Sequence, residues 1–452
     1  MAKWYEEAII YHIYPLGLCG APDKNDFREP PRERLLSLLP WLDHIRDLGA
    51  TALYLGPLFE STSHGYDTAD YFHLDRRLGT DDTLRHLVKA AHEEGLRVIL
   101  DCVFNHVGRD FWAFRDVKEN GAGSPYTGWF QGLAFGHTSP YGDPFSYEGW
   151  SGHHSLVKLE LRNPAVREHL FAAVDAWVRG FDIDGLRLDA ADVMDLGFLE
   201  SLAAHCRGLR PDFWLMGEVV HGDYRRWVNP STLDSVTNYE CYKGLYSSFN
   251  DGNLFEIAHS LTRQFAHGGI YEGKLLYSFA DNHDVNRVSS TLKDPAHLHP
   301  LYCLLFSMPG IPSVYYGSEW GIEGRKNGSD GPLRPRLDLE AARRLAPHPH
   351  LEQTIRTLSH IRLASAALTS GDYLPLHVSS GQLAFARRSE KNSVIAVINA
   401  AASPARVALN ATWMGGGRLV DLLNPGEAFS VSGGRAEIAV PPRWARIMSL
   451  RP

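Results

Sequence analysis

Residues 84–103 read LRHLVKAAHEEGLRVILDCV, and the architecture of the chain can be worked out from them. Apolar side chains recur from Leu84 to Ala91 at the spacing of one helix face, and Gly95 follows where such a helix would end. The apolar run at 97–103 then has the length of a buried strand. An amphipathic helix that leads directly into a buried strand is the repeating unit of α/β proteins.

The same unit repeats along most of the chain. About eight apolar runs alternate with amphipathic segments, and this count predicts a closed (β/α)8 TIM barrel. The predicted strands are 8–14, 52–55, 97–103, 183–189, 213–216, 235–237, 275–279 and 313–316. A doubly wound open sheet is the competing architecture. It normally carries a glycine-rich nucleotide turn after its first strand, and Pro15-Leu-Gly-Leu-Cys-Gly20 matches that turn poorly.

Two regions depart from this alternation. Residues 107–160 contain many glycines, prolines and aromatic residues with little helical periodicity, and they are too long for an ordinary loop. From residue 368 onward, short apolar runs alternate with glycine- and proline-bearing turns, which is typical of an antiparallel β-sandwich. The predicted domains are a barrel at 1–106 and 161–367, an inserted subdomain B after the third strand at 107–160, and a C-terminal sandwich at 368–452.

Composition excludes several classes of protein. A formal net charge of −8 argues against nucleic-acid binding, and the sequence offers no polybasic patch for a membrane surface. The N-terminus lacks the apolar core of a signal peptide, and no stretch is long enough to span a bilayer. The five cysteines are widely spaced, which predicts buried free thiols in a reducing cytoplasm. We therefore expect a cytoplasmic protein with neither membrane nor nucleic-acid partners.

Acidic residues terminate several of the predicted strands. Any one of them could be a helix N-cap, and an arginine beside an aspartate is commonly a structural ion pair. The carboxyl ends of barrel strands converge over one mouth, however, so four such endings together indicate a shared catalytic cavity. The endings are Asp101 with Asn105 and His106, Arg187 with Asp189, Glu218, and Asp281 with His283 and Asp284.

Glycosidic bond cleavage with retention of configuration needs this kind of residue set. It requires a carboxylate nucleophile and a carboxylic acid that protonates the leaving oxygen. Another fixed anion stabilises the positive charge of the transition state, and a cation beside the nucleophile keeps it ionised. The strand endings supply the carboxylates, one arginine and two histidines.

The segments DCVFNH at 101–106, GLRLD at 185–189, GEV at 217–219 and FADNHD at 279–284 resemble the four signatures of the α-amylase family, glycoside hydrolase family 13. They occur in the family's order, and the resemblance covers essentially the whole chain. It implies roles for six residues. Asp189 is the nucleophile, Glu218 the general acid/base, Asp284 the transition-state stabiliser, Arg187 the residue that orients Asp189, and His106 and His283 ligands of the −1 sugar.

Other segments extend the resemblance to the donor side. The run SHGYDTADY at 63–71 matches a family segment in which Tyr66 stacks on the −1 sugar, and we assign Asp67 to the same site. A packing role for Tyr66 at the barrel rim is the alternative. Asp330 and Arg334 resemble the pair that grips the next glucose outward. The predicted substrate-binding residues are therefore Tyr66, Asp67, His106, Arg187, His283, Asp330 and Arg334.

Within the family, the chain most resembles the cyclomaltodextrinase, neopullulanase and maltogenic amylase group, whose members release maltose from cyclodextrins and short maltooligosaccharides. It departs from that group at Asp192-Val193 and at Val220, near the +1 and +2 subsites. A narrower member, a hydrolase of cyclic maltosyl-maltose, also suits these changes. The module that builds the group's usual dimer is missing, so we expect a monomer or a homodimer.

The resemblance predicts no required cofactor. Many α-amylases bind calcium through the asparagine of the first signature and a histidine carbonyl after the second. Asn105 is present, but Val193 occupies the histidine position, and hard cations need several oxygen ligands that cannot be assembled here. We predict no required calcium and no other metal site.

The leading functional hypothesis is a retaining hydrolase of α-1,4 bonds in short or cyclic maltooligosaccharides, with an oligosaccharide as its partner. A 4-α-glucanotransferase and an α-1,6-acting glucosidase are the alternatives, because the same intermediate can react with a sugar hydroxyl and the residues after Asp189 match neither pattern. A non-catalytic member would be expected to lack one of the three carboxylates, and all three are present. The aromatic residues of the subdomain suit a ligand platform and a small core equally. They are Trp112, Trp129, Phe130, Phe135, Tyr141, Tyr147 and Trp150.

Overall fold

The computed structural model describes residues 3–451, and its centre is an eight-stranded parallel sheet. The strands are β1 (Ile10–Ile13), β2 (Ala52–Leu55), β3 (Arg97–Cys102), β4 (Gly185–Leu188), β5 (Trp214–Gly217), β6 (Ser235–Val236), β7 (Tyr277–Phe279) and β8 (Ile311–Tyr315). Their order is β6-β5-β4-β3-β2-β1-β8-β7, and a parallel bridge between Thr237 and Tyr277 joins the two ends. The predicted TIM barrel is confirmed, although most strands are shorter than the apolar runs suggest.

Helices form the outer layer of the barrel. The main ones are Leu39–Asp47, Asp81–Glu93, Pro164–Phe181, Leu196–Leu209, Tyr239–Asn250, Phe255–Phe265, Leu298–Ser307 and His350–Leu363. Shorter helices are Pro15–Leu18, Val288–Thr291, Leu339–Arg344 and Ala366–Ser370. Thr80 caps the helix Asp81–Glu93 by accepting a hydrogen bond from the Thr83 N–H, and Gly95 follows it with a φ of 77°. Residues 84–103 therefore form the predicted helix followed directly by a strand.

The inserted subdomain lies between β3 and β4. It contains a three-stranded antiparallel sheet of His106–Gly108, His153–Lys158 and Gly149–Trp150, and a two-stranded sheet of Ala134–Phe135 and Phe145–Ser146. It also contains a helix at Trp112–Asn120 that the sequence did not predict. This helix has only nine residues, so its three buried side chains are too few to produce a clear period.

The C-terminal region is an antiparallel sandwich, as predicted. A six-stranded sheet contains Asp372–Val378, Gln382–Arg388, Ser393–Asn399, Gly417–Asp421, Ala428–Val431 and Trp444–Arg451, and a second sheet pairs Ala405–Asn410 with Arg435–Val440. Buried side chains from both sheets pack into one apolar core. The predicted boundaries at 106, 160 and 367 stay predictions.

Two buried arginines hold the carbonyl end of the helix Leu298–Ser307 against the sandwich. Arg387 donates to the carbonyl oxygens of Ser307, Gly371 and Asp372 at 3.0, 2.9 and 3.1 Å. Arg362 donates to the carbonyl oxygen of Phe306 at 2.9 Å. Cations at a helix C-terminus satisfy carbonyls that have no partner within the helix.

All five cysteines are buried free thiols, as their wide spacing predicts. Between residues 3 and 451, no helix is both long and apolar enough to cross a membrane.

Candidate active site

The carboxyl ends of the barrel strands open into a cleft of about 1140 Å³. Most of the predicted site residues line it. They are Tyr66, His106, Asp189, Glu218, Asp284, Asp330 and Arg334. Arg187 and His283 lie behind this wall and contact the carboxylates that form it. The structure therefore brings nine of the ten predicted residues into one assembly.

The tenth residue, Asp67, lies outside the cleft lining. Its carboxylate accepts hydrogen bonds from the N–H and the hydroxyl of Ser63, at 3.1 and 2.5 Å. Those bonds hold the loop after β2 that also carries Tyr66. A direct contact between Asp67 and substrate stays a prediction.

Arg187 is the central cation of the site. It projects from β4 on the same face as Asp189, because residues two apart on a strand share a face. Its Nη1 donates to Asp189 Oδ1 at 2.9 Å and to Asp101 Oδ1 at 2.9 Å, and its Nη2 lies 3.0 Å from Glu218 Oε2. The side chain is 3% exposed. One guanidinium thus positions carboxylates from three neighbouring strands.

A sharp turn directly after Asp189, at the end of β4, forms hydrogen bonds with Glu218 at the end of β5. Ala190 has a φ of 49°, an unfavourable conformation for a residue with a side chain. In this conformation its N–H donates to Glu218 Oε2 at 3.1 Å. The N–H of Asp192 donates to the Glu218 carbonyl oxygen at 3.2 Å. The turn therefore fixes the position of Glu218 relative to Asp189.

Asp284 is held on the opposite side of the site. Asn282 Oδ1 accepts the N–H of Asp284 at 2.8 Å and orients the loop after β7. The Asp284 carboxylate lies 2.9 Å from His283 Nε2 and accepts a 2.9 Å hydrogen bond from Arg334 Nη2. Arg334 Nη2 also lies 3.1 Å from Asp330 Oδ2. Two cationic or polar groups thus face Asp284.

Tyr66 forms part of the cleft wall. Its hydroxyl donates to Asp101 Oδ2 at 2.9 Å and contacts His283 Nε2, and the rings of Tyr66 and His283 are parallel within 8°. Tyr54 donates to the same Asp101 oxygen at 2.8 Å. Asp101 is therefore a buried hub that joins β2, β3 and β4.

Several of these supporting residues were not assigned a role from the sequence. The supporting role of Asp101 could have been recognised from its position inside an apolar run, because a buried carboxylate is rare unless it is paired with another group. Arg287 gives no comparable signal. It is fully buried and donates to the carbonyl oxygens of Tyr316 and Leu333 at 2.6 and 2.9 Å, so it holds the loop that carries Asp330 and Arg334.

The three carboxylates differ in their electrostatic surroundings. Burial raises the pKa of Asp189 and of Glu218; Arg187 opposes this rise, and Asp284 adds to it in both cases. Burial acts in the same direction on Asp284, but His283 and Arg334 outweigh it, so the pKa of Asp284 is lowered. Burial also lowers the pKa of His106 to about 3, which leaves its ring neutral. The site therefore retains a proton on the Asp189–Glu218 pair more readily than on Asp284.

Two residues bear on the calcium expectation, Asn105 and Val193. The Asn105 side-chain amide lies 3.2 Å from His106 Nδ1, and the Asn105 carbonyl accepts the Leu159 N–H. Val193 is 56% exposed. Across the described chain, 3–451, no group of three or more His, Cys, Asp or Glu side chains is arranged to bind a metal ion. The prediction that calcium is not required stays a prediction.

Comparison with known proteins gives two matching sequence models. Residues 38–360 match the alpha amylase catalytic domain, and residues 375–447 match the maltogenic amylase C-terminal domain. The chain is 31% identical to a cyclomaltodextrinase of Geobacillus thermopakistaniensis over 427 residues, covering 90% of this chain and 68% of the relative. It is 31% identical to neopullulanase 2 of Thermoactinomyces vulgaris over 472 residues, covering 99% and 78%.

A solved structure is also similar over nearly the full length. It is the cyclic α-maltosyl-(1→6)-maltose hydrolase of Arthrobacter globiformis in complex with that sugar. The TM-score is 0.83 at 26% identity, and the alignment covers 99% of this chain and 99% of that one.

Proposed function

The chain belongs to the α-amylase family of glycoside hydrolases, and from this premise we propose that it hydrolyses α-1,4-glucosidic bonds in short or cyclic maltooligosaccharides, releasing maltose. The observation that carries the proposal is the convergence of Asp189, Glu218 and Asp284 on one cleft, with Arg187 bonded to the first two. A cleft of about 1140 Å³ is larger than the ~300–1000 Å³ typical of small-ligand pockets, which suits a chain of sugars.

The proposed reaction is a double displacement. In the first half, Asp189 attacks the anomeric carbon while Glu218 gives its proton to the leaving glycosidic oxygen, and the bond to the departing sugar breaks. The product is a covalent glucosyl ester on Asp189. In the second half, Glu218 takes a proton from a water molecule, and the water oxygen bonds to the anomeric carbon. The ester bond to Asp189 breaks, which leaves Asp189 ionised and Glu218 protonated as at the start.

The charges around each carboxyl group support these roles. Burial raises the pKa of Asp189, and the hydrogen bond from Arg187 opposes that rise and favours the ionised, nucleophilic form. Glu218 is raised in pKa, which suits a group that must hold a proton near neutral pH. Asp284 is lowered in pKa, so it stays anionic and stabilises the positive charge of the transition state.

The remaining predicted residues would bind the donor sugars. Tyr66 and His106 line the cleft, and the His283 ring stacks on that of Tyr66. Asp330 and Arg334 line the same cleft as an ion pair, and we assign them to the next glucose outward. We propose no cofactor and no required metal, a cytoplasmic location in keeping with the free thiols, and a monomer or homodimer.

A second candidate is cleavage at an α-1,6 branch. Two observations favour it: the similarity to a cyclic α-maltosyl-(1→6)-maltose hydrolase, and the departure of Asp192, Val193 and Val220 from the cyclomaltodextrinase pattern. Transfer to a sugar acceptor, a 4-α-glucanotransferase activity, would use the same intermediate.

The test is a product profile against linear, branched and cyclic maltooligosaccharides. We expect maltose from maltotetraose and from a cyclodextrin, with the new reducing end first released as the α-anomer in proton NMR. Initial release of the β-anomer would contradict the double displacement. Longer chains from maltotriose would identify a transferase, and cleavage confined to branched sugars would identify the α-1,6 activity.

A further inference from the structure

Arg334, in the loop after β8, is bonded along one edge to the loop after β7. Its Nη2 lies 2.9 Å from Asp284 Oδ1 and 3.1 Å from Asp330 Oδ2, and its Nε donates to the His283 carbonyl oxygen at 3.0 Å. The side chain is 10% exposed. The N–H groups of a guanidinium all lie in its plane, so these bonds leave its two faces to be held by other side chains.

One face of the Arg334 guanidinium lies on the ring of Tyr14. Arg334 Cζ is 4.6 Å from the centre of that ring. A guanidinium within about 6 Å of an aromatic face is attracted to it, and the attraction is stronger when both groups are out of water. Tyr14 is 4% exposed, and burial raises its pKa to about 12, so the phenol is neutral at neutral pH.

Tyr14 is itself held from several sides. It directly follows β1, and its hydroxyl donates to the carbonyl oxygen of His64, in the loop after β2, at 2.7 Å. Its ring is parallel to that of His283 within 12°, with the ring centres 6.0 Å apart. Gly17 follows in the next helix, where a Cβ atom would lie only 2.2 Å from the Arg334 carbonyl oxygen. The segment that carries Tyr14 therefore packs directly against the backbone of Arg334.

These contacts make Tyr14 a support for Arg334. Arginine has many rotamers, and restricting it to one of them costs side-chain entropy. The in-plane bonds hold one edge of the guanidinium, and the ring of Tyr14 restricts its rotation out of that plane. Tyr14 lines the cleft, but its hydroxyl and one ring face are already engaged by protein groups. The ring is therefore better placed to orient Arg334 than to bind a sugar itself.

We propose that Tyr14 is a positioning residue that holds Arg334 between Asp284 and Asp330, and that the enzyme needs this aromatic face to bind a donor of two glucose units. The inference rests on the proposed function. It gives Tyr14 no part in the proton transfers, and its effect on the substrate passes through Arg334.

The experiment compares two substrates that share a leaving group. α-Maltosyl fluoride places two glucose units on the donor side, whereas α-glucosyl fluoride places one. For Tyr14→Leu, we expect kcat/KM for α-maltosyl fluoride to fall about tenfold, mainly through KM, and kcat/KM for α-glucosyl fluoride to fall much less. Equal losses on the two fluorides, or no loss on either, would overturn the proposal.

Tyr14→Phe separates the ring from the hydroxyl. It keeps the aromatic face, so both kcat/KM values should stay within about twofold of wild type. A loss as large as that expected for Tyr14→Leu would assign the effect to the hydroxyl and contradict the proposal. This variant tests the aromatic face even if Tyr14→Leu does not fold.

A double-mutant cycle tests whether the effect passes through Arg334. Arg334→Met alone should lower kcat/KM for α-maltosyl fluoride at least as much as Tyr14→Leu does. Adding Tyr14→Leu to Arg334→Met should then cause no further loss, because the group that the ring positions is already absent. A full additional loss would show that Tyr14 acts independently of Arg334, which would refute the positioning role.

The matched control is Tyr141→Leu. Tyr141 also lies against an arginine, with Arg109 Cζ 4.1 Å from its ring centre, but it is exposed and does not line the cleft. This change should leave both kcat/KM values unaltered. A wild-type enzyme that hydrolyses neither fluoride contradicts the proposed function itself, so the two failures can be distinguished.

Discussion

Arg187 Nη1 lies 2.9 Å from Asp189 Oδ1, two residues farther along the same strand. The other terminal nitrogen of the same guanidinium, Nη2, lies 3.0 Å from Glu218 Oε2. One rigid cation therefore sets the distance and the charge balance between the proposed nucleophile and the proposed acid/base.

We first predict that Arg187→Lys lowers kcat by about 10²-fold or more, because one ammonium cannot reproduce a fork bonded to several carboxylates. Arg187 lowers the pKa values of Asp189 and Glu218, so weakening this contact should move both limbs of the pH profile of kcat/KM to higher pH. A pH–rate series checks this. Arg336→Lys, an exposed arginine at the cleft rim, is the control, and an unshifted profile in Arg187→Lys would count against the assignment.

Asp189→Asn should abolish activity, with a loss of about 10⁴-fold or more, because the covalent intermediate cannot form. Near-normal turnover would refute the mechanism. Asp192→Asn, which changes another half-buried carboxyl group of the cleft wall, should retain the covalent step and serves as the comparison.

The same Asp189→Asn variant should be more stable than wild type at neutral pH. Burial raises the pKa of Asp189 above its unfolded value, so ionisation of this group costs stability as pH rises toward and through the folded pKa. The amide cannot ionise, and the gain in Tm should grow from about pH 4 upward. Thermal unfolding across that range measures it, and a Tm difference that shrinks with rising pH would contradict the sign.

Glu218→Gln should separate substrates by their leaving groups. Loss of the proton donor should cost about 10²–10⁴-fold with maltotetraose and much less with α-maltosyl fluoride, since fluoride departs with little protonation. The ratio of the two kcat/KM values is the measurement. An equal loss on both substrates would remove Glu218 from the acid role.

Arg387→Met should loosen the junction between barrel and sandwich. The substitution removes the donor to three carbonyl oxygens, and each unsatisfied buried group costs about 1–3 kcal/mol. We expect a clearly lower Tm. Arg388→Met is the neighbouring control, because Arg388 pairs with Asp372 at the surface, where such pairs contribute little. Equal effects of the two changes would disprove the capping role.

Chelation by EDTA should leave both activity and Tm unchanged. The expectation follows from Val193, which stands at the position of the family's histidine, and from the lack of any group of three or more His, Cys, Asp or Glu side chains arranged to bind a metal ion among residues 3–451. Lost activity that calcium alone restores would show that this prediction is wrong.

The barrel could be predicted because each of its helices and strands leaves a pattern within a few consecutive residues. The spacing from Leu84 to Ala91 and the run at 97–103 report which faces of a helix and a strand are buried, and these are properties of a few consecutive residues. The helix Trp112–Asn120 was missed because its periodic signal is too short. The polar residues at the strand ends could also be recognised from neighbouring residues, since each follows an apolar run directly.

The sequence by itself therefore determined the barrel, the family resemblance and the residues from which the site is built. Tertiary structure alone decided which of them meet: Arg187 bridges Asp101, Asp189 and Glu218, Asp67 is held by Ser63, and Trp150 reaches the cleft while Trp129 does not. The physical reason is that spacing fixes the face on which a side chain lies, whereas its partners depend on strand register and on the path of the inserted chain. Strand register and the path of the inserted chain each bring together residues that are far apart in the sequence.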